Sequence, residues 1–212
     1  DTVKRLNADK RGTLIGEFSG DDKILQIFSN GEFRLSGYDL STHFDDDMTQ
    51  IMKFNPDTTF SVIYIEGETK LMYIKRFMIE EDTPLNRRIS FIGENENAEY
   101  LIMNMDQLPR LLLKFNDSPS GKQYEDEELN VAEYIGVKSY KAKGKRLSTH
   151  DVASYTFLEP FEPEEEEVEP TEEIMENKET ENNDTEEIIP SNNETDDNFF
   201  SEDDGVQLTL FE

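Results

Sequence analysis

The string Leu-Ser-Thr-His occurs twice, at residues 40–43 and 147–150, and the second copy runs directly into Asp151. Serine, histidine and aspartate are the parts of an acyl-transfer triad, so the pattern invites a hydrolase reading. The spacing speaks against it. Neighbours along a strand point to opposite faces, and triads are assembled from positions distant in sequence. His43 and His150 are the only two histidines, and no metal-ligand spacing joins them to the acids. "DDK" (21–23) and "FDDDM" (44–48) resemble pieces of a calcium loop, but the loop's glycine and closing glutamate are missing. There is no phosphate-cradling glycine loop. No catalytic residue and no metal ligand is assigned, and no cofactor is expected in this domain.

The remaining chemistry is charge. "KSYKAKGKR" (138–146) holds five cations and no anion, in a chain of formal net charge -28. Like charges this dense repel one another, so such a stretch ordinarily faces an anion. The acidity is not spread evenly. Residues 159–212 hold 22 of the 49 acids and one of the 21 cations, a net of -21 against -7 for residues 1–158. The chain is a mildly acidic body of one domain's size with a strongly acidic tail. Runs such as "EPEEEEVEPTEE" contain too few apolar residues to offset the entropy of ordering, so residues 159–206 are expected to be disordered. There is no cysteine, hence no disulfide framework or thiolate metal site. No apolar run approaches the roughly 18 residues of a membrane span, and no signal peptide is visible. Because residue 1 is Asp, the expectation is a fragment of a longer chain, in a reducing intracellular compartment.

The elements that must position those cations read as β-strands around tight turns. "KILQIFSNGEFRLS" flanks Asn30-Gly31, the strongest short hairpin signal. "FSVIYIEGETKLMYIKRF" repeats the arrangement around Glu66-Gly67, and "AEYLIMNMDQLPRLLLKF" around Asp106-Gln107. "EYIGVKSYKAKGKRLS" closes the set near Gly144, and "VKRLNADKRGTLIGEF" forms a possible leading hairpin near Gly12. Turn centres near 31, 67, 106 and 144 lie 36, 39 and 38 residues apart, which suggests an array of one supersecondary unit. Only "EDEELNVAEYIG" has a modest helical pattern. The fold class expected is all-β, a propeller-like array of four or five hairpin blades over residues 1–158. An ordinary β-sandwich with evenly spaced hairpins is the alternative.

Each expected hairpin carries cations: Lys4, Arg5, Lys10 and Arg11 in the leading unit, Arg34 in the next, then Lys70, Lys75 and Arg76, then Arg110 and Lys114. The last unit has Lys138, Lys141, Lys143, Lys145 and Arg146. Acids concentrate in the connections, at 45–47, 80–82 and 125–128. Cations at one blade position would form a stripe suited to a duplex phosphate backbone, which is read by charge without base contacts. Protection of sheet edges from aggregation is the bland alternative for any single lysine. One or two charges suffice for that, and residues 138–146 carry five.

"KRLNADKRGTLIGEF", "DDKILQIFSNGEFRL", "ETKLMYIKRFMIE" and "GVKSYKAKGKRLS" together resemble the C-terminal domain of the A subunit of bacterial type IIA topoisomerases. The similarity is closer to the A subunit of topoisomerase IV in Bacteroidetes-type sequences, and it covers residues 1–158. The resemblance implies a β-pinwheel with a basic rim that binds and bends double-stranded DNA. It also implies the B subunit of topoisomerase IV as a partner, a bacterial cytoplasmic, nucleoid-associated location, and an enzyme whose cleavage tyrosine lies outside this chain. ATP and Mg would serve that full enzyme. The Q-R-R-G-G-x-G box of the corresponding gyrase subunits does not occur; "KAKGKR" lacks its glutamine and paired glycines. The departure argues for topoisomerase IV over gyrase and against full chiral wrapping.

The tail admits two readings, a solubilising filler or a DNA mimic that competes for the basic stripe from a tether reaching on the order of 40 Å. Its end, "DDGVQLTLFE", breaks the polar pattern. Gln207, Leu208, Leu210 and Phe211 form Q-L-x-L-F, which resembles the pentapeptide that binds the bacterial sliding clamp. Short apolar motifs at tether ends are a common recognition mode, and docking of residues 207–211 on the chain's own body is the alternative. A protein-interaction propeller whose acidic tail binds basic partners is the competing function.

Overall fold

The computed structural model describes residues 5–9, 12–162 and 206–211. Lys4, Lys10, Arg11 and residues 163–205 lie outside the described residues, and with them the DNA-mimic reading and most of the stretch 159–206 expected to be disordered. Of that stretch, the described Phe161 N–H donates to the Leu108 carbonyl and Val206 lies in a strand. In chain order the strands are β1 (Arg5–Asn7), β2 (Thr13–Phe18), β3 (Ile24–Phe28), β4 (Glu32–Ser36), β5 (Met48–Lys53), β6 (Phe60–Ile65), β7 (Met72–Met78) and β8 (Ile89–Ser90). They continue with β9 (Glu99–Asn104), β10 (Arg110–Phe115), β11 (Glu127–Asn130), one helical turn α1 (Val131–Tyr134), β12 (Val137–Ser139), β13 (Lys145–Arg146), β14 (Val152–Leu158) and β15 (Val206–Phe211). Among the described residues the protein is all-β apart from α1, which Asn130 caps by accepting the Ala132 N–H.

Four sheets follow one another: β1-β15-β2, then β5-β3-β4-β8, then β12-β7-β6-β9 with β13 also on β7, then β11-β10-β14. All pairings are antiparallel except β12 on β7. In the two middle sheets a later segment reaches back to complete the edge: β8 joins β4, and β12 and β13 join β7. This exchange between successive sheets is consistent with a pinwheel.

Alternation along the central strands explains how the sheets pack. On β3, Leu25 and Ile27 enter one apolar cluster with Phe33, Leu35, Phe60, Val62, Tyr64 and Phe77 of the second and third sheets. Ile24 and Phe28 of the same strand point the other way, joining Leu6, Phe18, Leu208 and Leu210 of the first sheet. On β6, Ile63 likewise turns from its neighbours to meet Ile74, Leu111, Leu113, Val131 and Leu147. A strand buried on both faces needs a near-continuous apolar run. "ILQIF" and "FSVIYI" supply it except at Gln26 and Ser61, both buried, and Gln26 is satisfied by the Ser36 hydroxyl and Arg34.

Two of the expected hairpins form. β3 and β4 pair around Asn30-Gly31, with Gly31 at φ +78° and an added Cβ 2.6 Å from the Ile92 side chain. β6 and β7 pair around residues 66–71, although the left-handed residue there is Lys70 and not Gly67. The other three do not form as expected. At 106–107 no glycine supplies the turn conformation, and the Asn104 carboxamide closes a local turn on the Asp106 N–H ahead of Pro109. The chain therefore crosses from the third sheet into the fourth, where β10 pairs with β11 across residues 116–126 and with β14. β12 and β13 do not pair with each other but both lie on β7. β1 and β2 are separated by β15. The interval of 36 to 39 residues is thus no blade period beyond its first step.

β15 corrects the reading of residues 207–211 as a free motif at a tether end. It pairs with both neighbours, Leu210 opposite Leu6 and Leu208 opposite Gly16, and Leu208 and Leu210 are 1% and 8% exposed. The Thr209 hydroxyl bonds the Asn7 side chain at 2.9 Å, which pins the register. Burial of two leucines and strand pairing on both edges accounts for the apolar string in a polar tail. A partner taking Leu208 and Leu210 would first have to displace this strand.

Candidate nucleic-acid interface

Residues 138–146 wrap the open edge of β7. Lys138 lies opposite Phe77, the chain bends through 140–144, and Lys145 and Arg146 return opposite Ile74 and Tyr73. The cations therefore span about four residues of strand, ~13 Å. That length matches about four phosphates of one DNA strand along the duplex axis. All five side chains are exposed. Three lie over tyrosine rings: Lys141 over Tyr140 at 5.5 Å, Lys143 over Tyr73 at 5.0 Å and Lys145 over Tyr134 at 3.5 Å. Ring faces attract the ammonium groups and hold their stems without neutralising the charge.

The backbone of the bend is fixed from inside. The Lys75 ammonium donates to the carbonyls of Tyr140 (2.5 Å), Ala142 (2.7 Å) and Phe91, and the Tyr64 hydroxyl donates to that of Lys143 (2.5 Å). Gly144, at φ +86°, passes so close to β7 that an added Cβ would collide with the Ile74 carbonyl oxygen. Among the described residues one acid pairs with these cations: Glu66 meets Lys143 at 3.3 Å. The Thr69 hydroxyl and N–H, and then Lys143, hold the Glu66 carboxyl down at about 2, so it is ionised throughout the neutral range.

The other expected DNA contacts divide. Lys75 and Arg76 are 3% and 7% exposed, so both are corrected from surface contacts to interior groups. Arg76 donates to the Gln107 carbonyl at 2.9 Å. Arg34 is half-buried between Gln26 and Asp45, Arg110 forms a two-pronged pair with Glu128, and Lys114 meets Asp126 at 3.2 Å. These are cross-strand or cross-loop pairs, already neutralised. Lys70 is exposed and donates to the Asn97 carbonyl, and Arg5 is exposed on β1. Among the described residues the expected cations therefore do not form one stripe; the five of residues 138–146 form the concentrated patch.

Sequence reasoning missed Arg88. It grips Asp47 through two hydrogen bonds of 2.7 and 2.8 Å, reaches Asp45 at 2.9 Å, and lies 3.8 Å over the Phe28 ring. Asp45 and Asp47, two of the acids concentrated in the connection at 45–47, are its partners. Replacing Arg88 with alanine is expected to lower stability by about 1–2 kcal/mol, discounted for partial exposure, as read from urea unfolding.

The two Leu-Ser-Thr-His strings serve separate loops. His150 stacks on Tyr124 at 4.0 Å and Asp151 accepts from the Asn116 carboxamide, so neither is arranged around Ser148 as in a triad. Among the described residues no group of three or more His, Asp or Glu side chains is placed to hold a metal.

A search of curated proteins finds no match to this chain. Residues 5–159, most of the chain, match the family described as Topoisomerase C-terminal domain, Bacteroidota. The match spans the four sheets except for the C-terminal strand β15, and the chain belongs to that bacterial topoisomerase C-terminal domain family.

Proposed function

We propose that this chain is the non-catalytic, DNA-binding C-terminal domain of the A subunit of topoisomerase IV. The Lys138–Arg146 wrap grips the phosphate backbone of one duplex segment, bends it and helps present it to a cleavage core that lies elsewhere in the enzyme. The B subunit, ATP and Mg belong to that full enzyme, and a cytoplasmic, nucleoid-associated location goes with it. Family membership supports the setting, and the absence of the gyrase box supports topoisomerase IV over gyrase. The observation that carries the DNA contact is the row of five exposed cations on a backbone immobilised from within. Charge without base-edge readers implies selectivity for DNA shape and crossing geometry over sequence. Among the described residues no helix is long and apolar enough to cross a membrane.

Fluorescence anisotropy with short labelled duplexes of unrelated sequence tests this reading. The expected result is similar affinity for each duplex; no saturable binding at low salt would end it. Glu66→Gln supplies a gain-of-binding check, because it removes the acid facing Lys143 while leaving an acceptor for Thr69. Affinity should rise about twofold.

A further inference from the structure

Lys75 was expected to touch DNA, and its burial raises the question of what an ammonium does inside a sheet protein. On β7 it shares a face with Tyr73 and Phe77, directed toward the cluster between the second and third sheets. Burial pulls its pKa down to about 8, which leaves it charged at neutral pH. An ammonium offers three donors and no acceptor, and three carbonyls meet it: Phe91 beside the second sheet, and Tyr140 and Ala142 of the bend.

We propose that Lys75 is a positioning residue for the DNA-contacting surface: its buried ammonium gathers the carbonyls of the 140–144 bend and so turns Lys141 and Lys143 outward. The proposal rests on the reading of that bend as a DNA contact. Five like charges within ~13 Å push the segment away from itself, and something must hold it on β7. The carbonyls of 140, 142 and 143 all point inward, to Lys75 or to Tyr64, while the side chains of 141 and 143 are exposed. Removing the ammonium would leave buried acceptors unpaired, which is costly enough to open the bend. Lys75 itself reaches no phosphate; it acts through the lysines it orients.

The experiment compares the full chain with Lys75→Met by hydrogen exchange and by duplex binding across a salt series. Amides of 138–146 should exchange at least about tenfold faster while β3 and β10 keep their protection. Affinity should fall about tenfold, with the log–log salt slope shallower by about two phosphates' worth. A folded Lys75→Met variant with unchanged protection at 138–146, or with unchanged affinity and slope, overturns the proposal. The chain has no cysteine, so Lys75→Cys alkylated in denaturant with 2-bromoethylamine and refolded restores an ammonium at the same reach. Recovery of both readouts is expected, and failure to recover either in the refolded protein counts against an ammonium pin. If Lys75→Met does not fold, Gly144→Ala lifts the bend from β7 by another route and should give the same local exchange and the same loss of slope; a full slope with the bend open contradicts the proposal. Lys141→Gln with Lys143→Gln separates the two readings. This pair should weaken binding with the bend still protected, and unchanged binding there refutes the DNA contact while the exchange data still judge the pin.

Discussion

Ending the chain at Gly205 unfolds the first sheet. β15 is the middle strand there, and among the described strands β1 pairs only with β15, through Phe211, Leu210 and Thr209, beyond a single bridge from Arg5 to His43. Loss of the strand uncovers Leu6, Phe18, Phe28, Phe44 and Met48, which Leu208 and Leu210 complete. A buried leucine cut to alanine costs about 2–5 kcal/mol, and domains of this kind have about 5–15 kcal/mol in total. Leu208→Ala alone should therefore lower the unfolding free energy by about 3 kcal/mol, measured by urea denaturation. For the truncated chain, amides of β1 and β2 should lose protection while β6 and β10 retain most of theirs. A synthetic peptide covering 203–212 should restore protection in trans, but only at high concentration, because the native strand is tethered at effective concentrations of about millimolar. Wild-type protection of β2 in the truncated protein would show that β15 does not hold the sheet together.

Reversing the charge of the wrap is expected to abolish duplex binding while leaving the fold intact. Lys138, Lys141, Lys145 and Arg146 are exposed, and none forms an ion pair with a described acid. Glutamate at all four should lower affinity by more than about 100-fold at low salt, because each neutralised phosphate is worth nearly one unit of log–log slope. Stability should change by less than about 1 kcal/mol, as is usual for exposed charges. The same reversal at Arg34 and Arg110 should behave in the opposite way, with stability falling and DNA affinity little changed, since their partners are Asp45 and Glu128. Equal losses of binding from both sets would mean that the surface is read by diffuse charge and not by the wrap.

The contrast between those two sets marks how far the chain was legible before its structure. Asn30-Gly31 announced its hairpin because a short-range rule governs it, and the apolar runs of β3 and β6 announced strands, though not that both their faces would be buried. The cation-dense stretch at 138–146 was legible as a surface feature because five charges without an acid cannot be buried. Lys75 and Arg76 were not legible, because in sequence "YIKRF" looks like any strand with an outward cationic face. Only the tertiary arrangement brings the Tyr140 and Ala142 carbonyls to meet Lys75, more than sixty residues along the chain. β15 is the extreme case, pairing Arg5 with Phe211. Its apolar string was visible, and so was the option of docking on the body, but no local pattern could choose between that and an external partner. The turn near 106 failed for the converse reason: strand propensity on both sides was right, and the missing glycine was the clue that the arms belong to different sheets.

The central claim is that a duplex is held by the Lys138–Arg146 wrap through its phosphates, and the salt dependence of binding tests it most directly. For the wild-type chain, the logarithm of the association constant plotted against the logarithm of salt concentration should fall with a slope of about -4.5, five cations at about -0.9 each. The slope should flatten by about one unit for each of Lys138, Lys141, Lys145 and Arg146 replaced singly with glutamine. A wild-type slope near zero, or single replacements that leave it unchanged, would contradict that claim.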